Sequence, residues 1–194
     1  MFNGIIYNQG TIFKLERKKN SLNITLKTNL RFNKSEIGES ISCNGACLTL
    51  TGIKNSYISF YLSKETLDKT NFKYSKIGQT LNIERSLSYG KKISGHYIQG
   101  HVDTTSHVSK IVLKDKTWIV SFFLSKSFKK YVIEKGSIGI NGVSLTVSKI
   151  TKNNFEVNII PHTLKLTNLF KLKKKNLVNI EFDIFSKYLV KLKN

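Results

Sequence analysis

Apolar and polar positions alternate in short runs along much of this chain, the period of a β-strand with one buried face. The runs "SYISFYLS" (56–63), "TWIVSFFLS" (117–125) and "FEVNIIP" (155–161) are also rich in β-branched and aromatic residues, which favour a pleated, half-buried surface. Asn44-Gly45 and Asn141-Gly142 predict tight hairpins, because both central positions of a type I′ turn need positive φ. The stretch "SKSFKKYVIEKG" (125–136) reads as a short helix, capped by Ser125 or Ser127 and stopped at Gly136. The end, "DIFSKYLVKLKN", spaces Phe185, Tyr188, Leu189 and Leu192 at i, i+3, i+4 and i+7. That spacing predicts a short amphipathic helix whose apolar stripe needs a partner.

The pattern is written twice. "GESISCNGACLTLTGI" from residue 38 faces "KGSIGINGVSLTVSKI" from residue 135, with seven of sixteen positions identical. The same offset of 97 places "KETLDKTN" (64–71) on "PHTLKLTN" (161–168), and "NIER" (82–85) on "NIEF" (179–182). Three blocks keeping one offset describe two tandem copies, at 1–90 and 97–186. About six short strands per copy, joined by polar turns, predict a small closed barrel rather than an open sheet. The expected fold class is therefore all-β, with two tandem six-stranded barrels and a C-terminal helix.

Length agrees, since 194 residues suffice for two units that each bury a core. The net charge of +20 raises a nucleic-acid partner as one reading. Against it, the lysines are scattered apart from "KLKKK" at 171–175, and only three residues are Arg, the side chain best suited to bidentate phosphate and base contacts. No stripe of aromatics interleaved with basic residues marks one face. The charge reads better as a lysine-coated solvated surface. No apolar run approaches a membrane span, and "MFNGIIYNQG" lacks the features of a signal peptide. Cys43 and Cys47 are the only cysteines and are too close in sequence to bridge readily, which suits a reducing, cytoplasmic setting.

Chemistry concentrates in two places. "CNGAC" with His96 and His101 could compose a zinc site, but its spacing spans a hairpin turn, and the second copy has Ile140 and Ser144 in place of the cysteines. Cys47 as a covalent nucleophile would need a lowered pKa that nothing local supplies. A small polar residue facing a ligand fits it better. "GHYIQGHVDTTSH" (95–107) holds three of the four histidines at the junction of the copies, and histidine is the usual group for proton transfer near neutral pH.

Taken in order, "MFNGII", "NGACLT", "KETL", "NIERSL", "GHYIQGHVD", "KGSIGINGVSLTV" and "IIPHTL" resemble the riboflavin synthase family, alpha-chain type, over residues 1–184. The resemblance implies two Greek-key-type lumazine-binding barrels, at 1–96 and 97–184, with residues 185–194 as a helix for oligomerisation. It further implies a homotrimer, with each site between the first barrel of one subunit and the second barrel of its neighbour. The implied reaction is a dismutation of two 6,7-dimethyl-8-ribityllumazine molecules. One donates a four-carbon unit to the other, giving riboflavin and 5-amino-6-ribitylamino-2,4-pyrimidinedione. No metal or organic cofactor is implied, because the lumazine ring delocalises the charge left when its C7 methyl loses a proton. Two bound copies of one substrate explain two similar barrels, and orientation supplies much of the rate.

The site follows by matching positions. His101, Cys47 and Ser144 are the catalytic candidates, His101 for proton transfer. By the same resemblance, Ser40, Cys47 and Thr49 on the first barrel are expected around one substrate. Ser144, Thr146 and the segment Ile159, Ile160, Pro161, His162, Thr163 and Leu164 are expected around the other. Further contacts near the pocket, assigned to neither, are Phe2, Gly4, Ile5, Ile6, Leu48, Lys64, Thr66, Gly100, His101, Val102, Lys135, Leu145 and Asp183. Cys47 facing Ser144 is then the kind of difference that separates a donor site from an acceptor site. The chain departs from the family pattern at Asn3, where Thr is common, and at Ser94, where a glycine precedes Gly95-His96. Its tail after Asp183 has only eleven residues. The rival of the same fold is a non-catalytic lumazine or flavin carrier like the lumazine proteins of bioluminescence, which keep one competent barrel. Both "NG-x-[CS]-LT" motifs are intact in this chain. Association with a lumazine synthase is not legible.

Overall fold

The computed structural model describes residues 1–193; Asn194, the last position of the expected helix, lies outside the described residues. The first six strands, β1 (Asn8–Lys18), β2 (Ser21–Thr28), β3 (Ser40–Cys43), β4 (Ala46–Lys54), β5 (Tyr57–Leu62) and β6 (Thr80–Arg85), close in the order β1-β2-β5-β4-β3-β6. The second six are β7 (Thr104–Lys114), β8 (Thr117–Phe123), β9 (Ser137–Ile140), β10 (Val143–Ile150), β11 (Asn154–Ile159) and β12 (Leu177–Phe182), and they close in the same Greek-key order. All pairings are antiparallel, and register shifts fall at matching places, at Ile12/Lys14 and Val108/Lys110, and at Leu50/Gly52 and Val147/Lys149. Such bulges bend a strand and raise its twist, which lets so few strands close. Among the described residues three short α-helices accompany the strands: α1 (Lys64–Lys69), α2 (Pro161–Leu166) and α3 (Ile184–Leu192).

Alternation explains the cores. Leu22, Ile24, Leu26, Ile58, Phe60 and Leu62 fill the first barrel, and Val120, Phe122, Phe155, Val157 and Ile159 fill the second. Each fully buried aliphatic or aromatic side chain contributes roughly 1.5–3 kcal/mol. The hairpin expectation holds at both turns: Asn44 and Gly45 have φ of 45° and 81°, and Asn141 and Gly142 have φ of 46° and 77°. Residues 125–136 do not form the expected α-helix. Lys126–Tyr131 form a 3₁₀ segment instead, and Ser125 caps nothing with its side chain. Three consecutive residues, Tyr131 to Ile133, are β-branched or aromatic, which weakens helix propagation. The C-terminal helix forms as expected, and Phe185, Tyr188, Leu189 and Leu192 are 60–83% exposed, a stripe that the described residues leave largely uncovered, with Tyr97 set edge-on to Phe185.

The barrels meet around an approximate two-fold axis lined by asparagines. Asn44 Oδ1 accepts from Asn82 N and Asn141 Oδ1 from Asn179 N, at 2.8 and 2.9 Å. Across the interface, Asn82 Nδ2 donates to Asn141 O and Asn179 Nδ2 to Asn44 O, both at 2.9 Å. Asn168 N and Asn71 N donate to the side chains of Asn82 and Asn179. The two Asn-Gly turns touch here, and a β-carbon on Gly45 would lie 2.7 Å from Gly142 N. The amide oxygens of Asn71 and Asn168 stay without a partner among the described residues. The side-chain groups of Asn44, Asn82, Asn141 and Asn179 paired in this way nevertheless fix one arrangement of the barrels, because any slip would leave several unpaired at about 1–3 kcal/mol each.

The termini of the repeats are exchanged. Ile6 packs into the core of the second barrel, and Val102 packs against that of the first. Phe2, fully buried, forms a bridge with Ile98 between the two crossing segments. A cut at 96/97 therefore separates residues that pack together.

Candidate active site

The wall of a barrel has two faces, and the β3–β4 hairpin decides which residues reach each. Leu48 and Leu50 point inward, so Cys47 and Thr49 point out; Cys47 is half-buried and Thr49 exposed. Cys43 lies in the core, where burial pushes its thiol well above the ordinary range. The two cysteines therefore occupy opposite faces of the wall and cannot share a ligand. The β9–β10 hairpin repeats the arrangement, with Val143 and Val147 in the core, Leu145 against it, and Ser144 and Thr146 outside.

Over each hairpin lies a segment from the other repeat. Gly100 O accepts from Cys47 N, and Gly4 O from Ser144 N, both at 2.8 Å. Glycine is required at both places. Gly100 has φ +81° and a β-carbon there would come 2.5 Å from Cys47 Cβ; Gly4 has φ +74° and would come 2.7 Å from Ser144 Cβ. His101 therefore emerges beside Cys47 and is exposed, while Ile5 holds the corresponding place beside Ser144. The two faces are equivalent in backbone and unequal in chemistry.

A cleft of about 700 Å³ opens on the first face, lined by Cys47, Thr66, Gly100, His101 and Val102. Its far side comes from residues sequence reasoning did not name: Phe128, Tyr131, Phe182 and, from α3, Lys187, Val190 and Lys191. Phe182 packs on Phe128 and Tyr131 with ring centroids 5.3 and 5.6 Å apart, an aromatic wall suited to a flat heterocycle. At the position matching Phe182 in the first repeat stands Arg85, paired with Glu36 and lying over the Phe32 ring.

Not every expected residue meets this cleft. Ser40 pairs with Thr49 across β3–β4 and Lys64 is drawn along α1 by Asp68, at 2.5 Å; neither lines it. Ser144, Thr146, Ile160 and Thr163 belong to the face of the second barrel, as do the exposed Pro161 and His162 on α2. Phe2, Ile6, Leu48 and Ile159 have side chains in the interior, and Leu164 packs against the second core; what they offer a ligand is backbone. The reason is the period of two, which turns every neighbour of an outward residue inward. Lys135 sits exposed in a turn at φ 67°, and Asp183 caps α3 by accepting from Phe185 N.

One pair was missed. His96 is buried with its Nδ1 2.7 Å from Ser144 Oγ. Burial lowers its pKa, with Asp183 acting the other way, so the ring is held neutral. The neutral tautomer with a bare Nδ1 can accept the serine proton. The approach depends on Gly95, where a β-carbon would strike Asn3 O and lie 2.8 Å from Ser144 Cβ. Asn3 Oδ1 in turn accepts from Ser94 N and Gly95 N, at 2.7 and 2.9 Å. The "GHYIQGH" motif carried the signal, but a histidine 48 residues from its serine gives no sequence cue to the pairing.

A family model described as a lumazine binding domain matches twice, over residues 3–86 and 99–183. The riboflavin synthase of Buchnera aphidicola subsp. Schizaphis graminum is 38% identical over 98% of this chain and 92% of its own. That of Escherichia coli (strain K12) is 38% identical over 94% and 87%. The crystal structure of LumP complexed with riboflavin superposes with a TM-score of 0.84 at 24% identity, covering 94% of this chain and 99% of that one, a likeness of fold. Two lumazine binding domains in tandem, and identity to riboflavin synthases over nearly the full length, place this chain in the riboflavin synthase family of enzymes.

Proposed function

We propose that this chain catalyses the dismutation of two 6,7-dimethyl-8-ribityllumazine molecules into riboflavin and 5-amino-6-ribitylamino-2,4-pyrimidinedione. The observation that carries the reading is the pair of backbone-equivalent faces, each with a clamped glycine over an outward Cys47 or Ser144, that differ in the proton-transfer groups beside them. A bimolecular reaction of one substrate with itself needs that combination of two like sites and unlike roles. On the first face His101 stands free to exchange a proton, and on the second the neutral His96 can take one through Ser144. The aromatic wall of Phe128, Tyr131 and Phe182 orders a flat ring, and holding two rings in reacting geometry supplies much of the acceleration.

The cleft beside Cys47 has no residue of the Ser144 face in its lining. A complete site then joins the first face of one subunit to the second face of another, in a homotrimer. The uncovered stripe on α3, which borders the cleft, supports such an assembly. The test is to mix the purified protein with the lumazine, with and without a chelator, and to follow riboflavin absorbance and fluorescence. Turnover in both is expected. Tight binding without turnover would indicate a carrier, the reading that the LumP fold makes worth separating.

A further inference from the structure

Two carboxylates occupy matching places in the repeats and take no part in the chemistry above. Glu84 on β6 accepts from Asn3 N and Gly4 N, at 2.8 and 3.0 Å. Glu181 on β12 accepts from Gln99 N and Gly100 N, at 2.6 and 2.9 Å. Each of these glycines gives its carbonyl to the opposite barrel, Gly4 to Ser144 N and Gly100 to Cys47 N. Each glycine is thus held on one side by a carboxylate and on the other by a strand, and His101 is the next residue after one of them.

We propose that Glu181 and Glu84 are positioning residues: Glu181 holds the Gly100–His101 segment over Cys47, and Glu84 holds the Gly4–Ile5 segment over Ser144. The role in turnover rests on the proposed reaction, but the clamp does not. An ionised carboxylate can accept from two adjacent N–H groups with no donor of its own. A carboxamide or a protonated acid presents a donor to one of them and loses that bond. Burial pushes both groups up to about 7, against the backbone hydrogen bonds that favour the charged form. The charges that face them are few. Lys187 of α3 lowers Glu181 and Asp103 raises it, while the N-terminal ammonium lowers Glu84. The clamp is therefore full above neutral pH and half-released on acidification.

Cys47 reports on the clamp directly, since the Gly100 segment lies against it, and Cys43 is buried in the core. The rate of Cys47 alkylation by iodoacetamide is to be measured in the full chain and in Glu181→Gln, Glu181→Asp and Glu84→Gln. At about pH 8, Glu181→Gln should alkylate roughly tenfold faster than the wild type, with the ratio falling towards one by about pH 6 as the wild-type group protonates. Glu84→Gln should leave the rate unchanged. Glu181→Asp keeps the charge but withdraws it by a methylene, so it should still be several-fold faster; a purely electrostatic role would leave it at the wild-type rate and would overturn the proposal. If Glu181→Gln fails to fold, the aspartate variant decides alone. In turnover, Glu181→Gln should lower kcat roughly 10- to 100-fold with little change in KM. Altered alkylation in a protein with no turnover would refute the reaction and leave the clamp standing; unchanged alkylation with normal turnover would refute the clamp.

Discussion

Replacing Gly100 by alanine should do more damage than its size suggests, and the structure says how much. The residue has φ +81°, a conformation that costs an L-residue with a β-carbon roughly 1–2 kcal/mol. The new methyl would lie 2.5 Å from Cys47 Cβ, 2.7 Å from its N and 3.0 Å from its Cα. Backbone cannot yield as a flexible side chain does, and overpacking of this kind typically costs about 1–3 kcal/mol. Any movement that relieves it stretches the 2.8 Å Cys47 N to Gly100 O bond, with a further loss of about 0.5–1.5 kcal/mol. The sum is roughly 3–6 kcal/mol. Gly38 is the internal control, because its φ is +99° and nothing lies within 4 Å, so Gly38→Ala bears the backbone cost alone. For a chain this long each kcal/mol shifts Tm by about 2–4 °C. Thermal melts followed by circular dichroism should therefore put Gly100→Ala about 10 °C or more below the wild type, and Gly38→Ala only a few degrees below. Equal shifts in the two variants would refute the argument, since they would mean that the segment is not pressed against the hairpin.

Other expectations follow from the same geometry. His101→Gln should lower turnover about 10²- to 10⁴-fold while riboflavin binding, read by fluorescence quenching, stays largely intact; unchanged turnover removes His101 from proton transfer. Ending the chain at Ile184 deletes the exposed stripe of α3, so activity should fall on dilution and recover as concentration rises, checked by sedimentation alongside assay; full activity in a monomer rules out a site between subunits. Phe2→Ala empties a fully buried position between the crossing segments and should cost about 3–5 kcal/mol in urea denaturation. Glu84 and Glu181 have folded pKa values of about 7, above the ordinary 4.5, so the folded chain holds their protons more tightly than the unfolded one. Their contribution is full below about pH 4.5 and lost as pH rises through 7, roughly 2–4 kcal/mol each. The Glu84→Gln, Glu181→Gln double variant should show a flatter dependence between about pH 5 and 8, and a dependence equal to the wild type would count against the raised values.

The strands and both hairpins were legible because local rules specify them. Alternation set which face of β4 and β10 looks outward, and Asn-Gly pairs set the turns. The repeat was legible where residue types persist, from β3 onwards at an offset of 97. It was not legible at the start of each copy, where the equivalent residues Gly4 and Gly100 stand 96 apart. There "FNGII" and "IQGHV" share only the glycine, so the exchange of segments left no pattern to find. The aromatic wall escaped for another reason. Phe128 and Tyr131 lie in the stretch expected to be helical, and only the tertiary fold brings them across to Cys47. Two departures from the family pattern, Asn3 and Ser94, looked independent in sequence. In the fold they are partners, the Asn3 carboxamide holding the turn that delivers His96 to Ser144.

The crossing of residues 2–6 and 98–102 also sets an order of events during synthesis. The first six strands emerge early, but Cys47 N stays unpaired until Gly100 has followed them out. The segment at 2–6 is received in two stages, Asn3 and Gly4 N by Glu84 and Phe2 by Ile98 early, but Gly4 O by Ser144 and Ile6 by the second core only much later. Through that interval Ile6, destined for burial, has its packing partners still unmade. Contacts so distant in sequence are the slow ones to form, and apolar segments left waiting for them are open to wrong partners. The vulnerable moment in the life of this protein therefore comes late in its translation, with the first barrel already closed and the Gly4–Ile6 stretch still without its partners in the second.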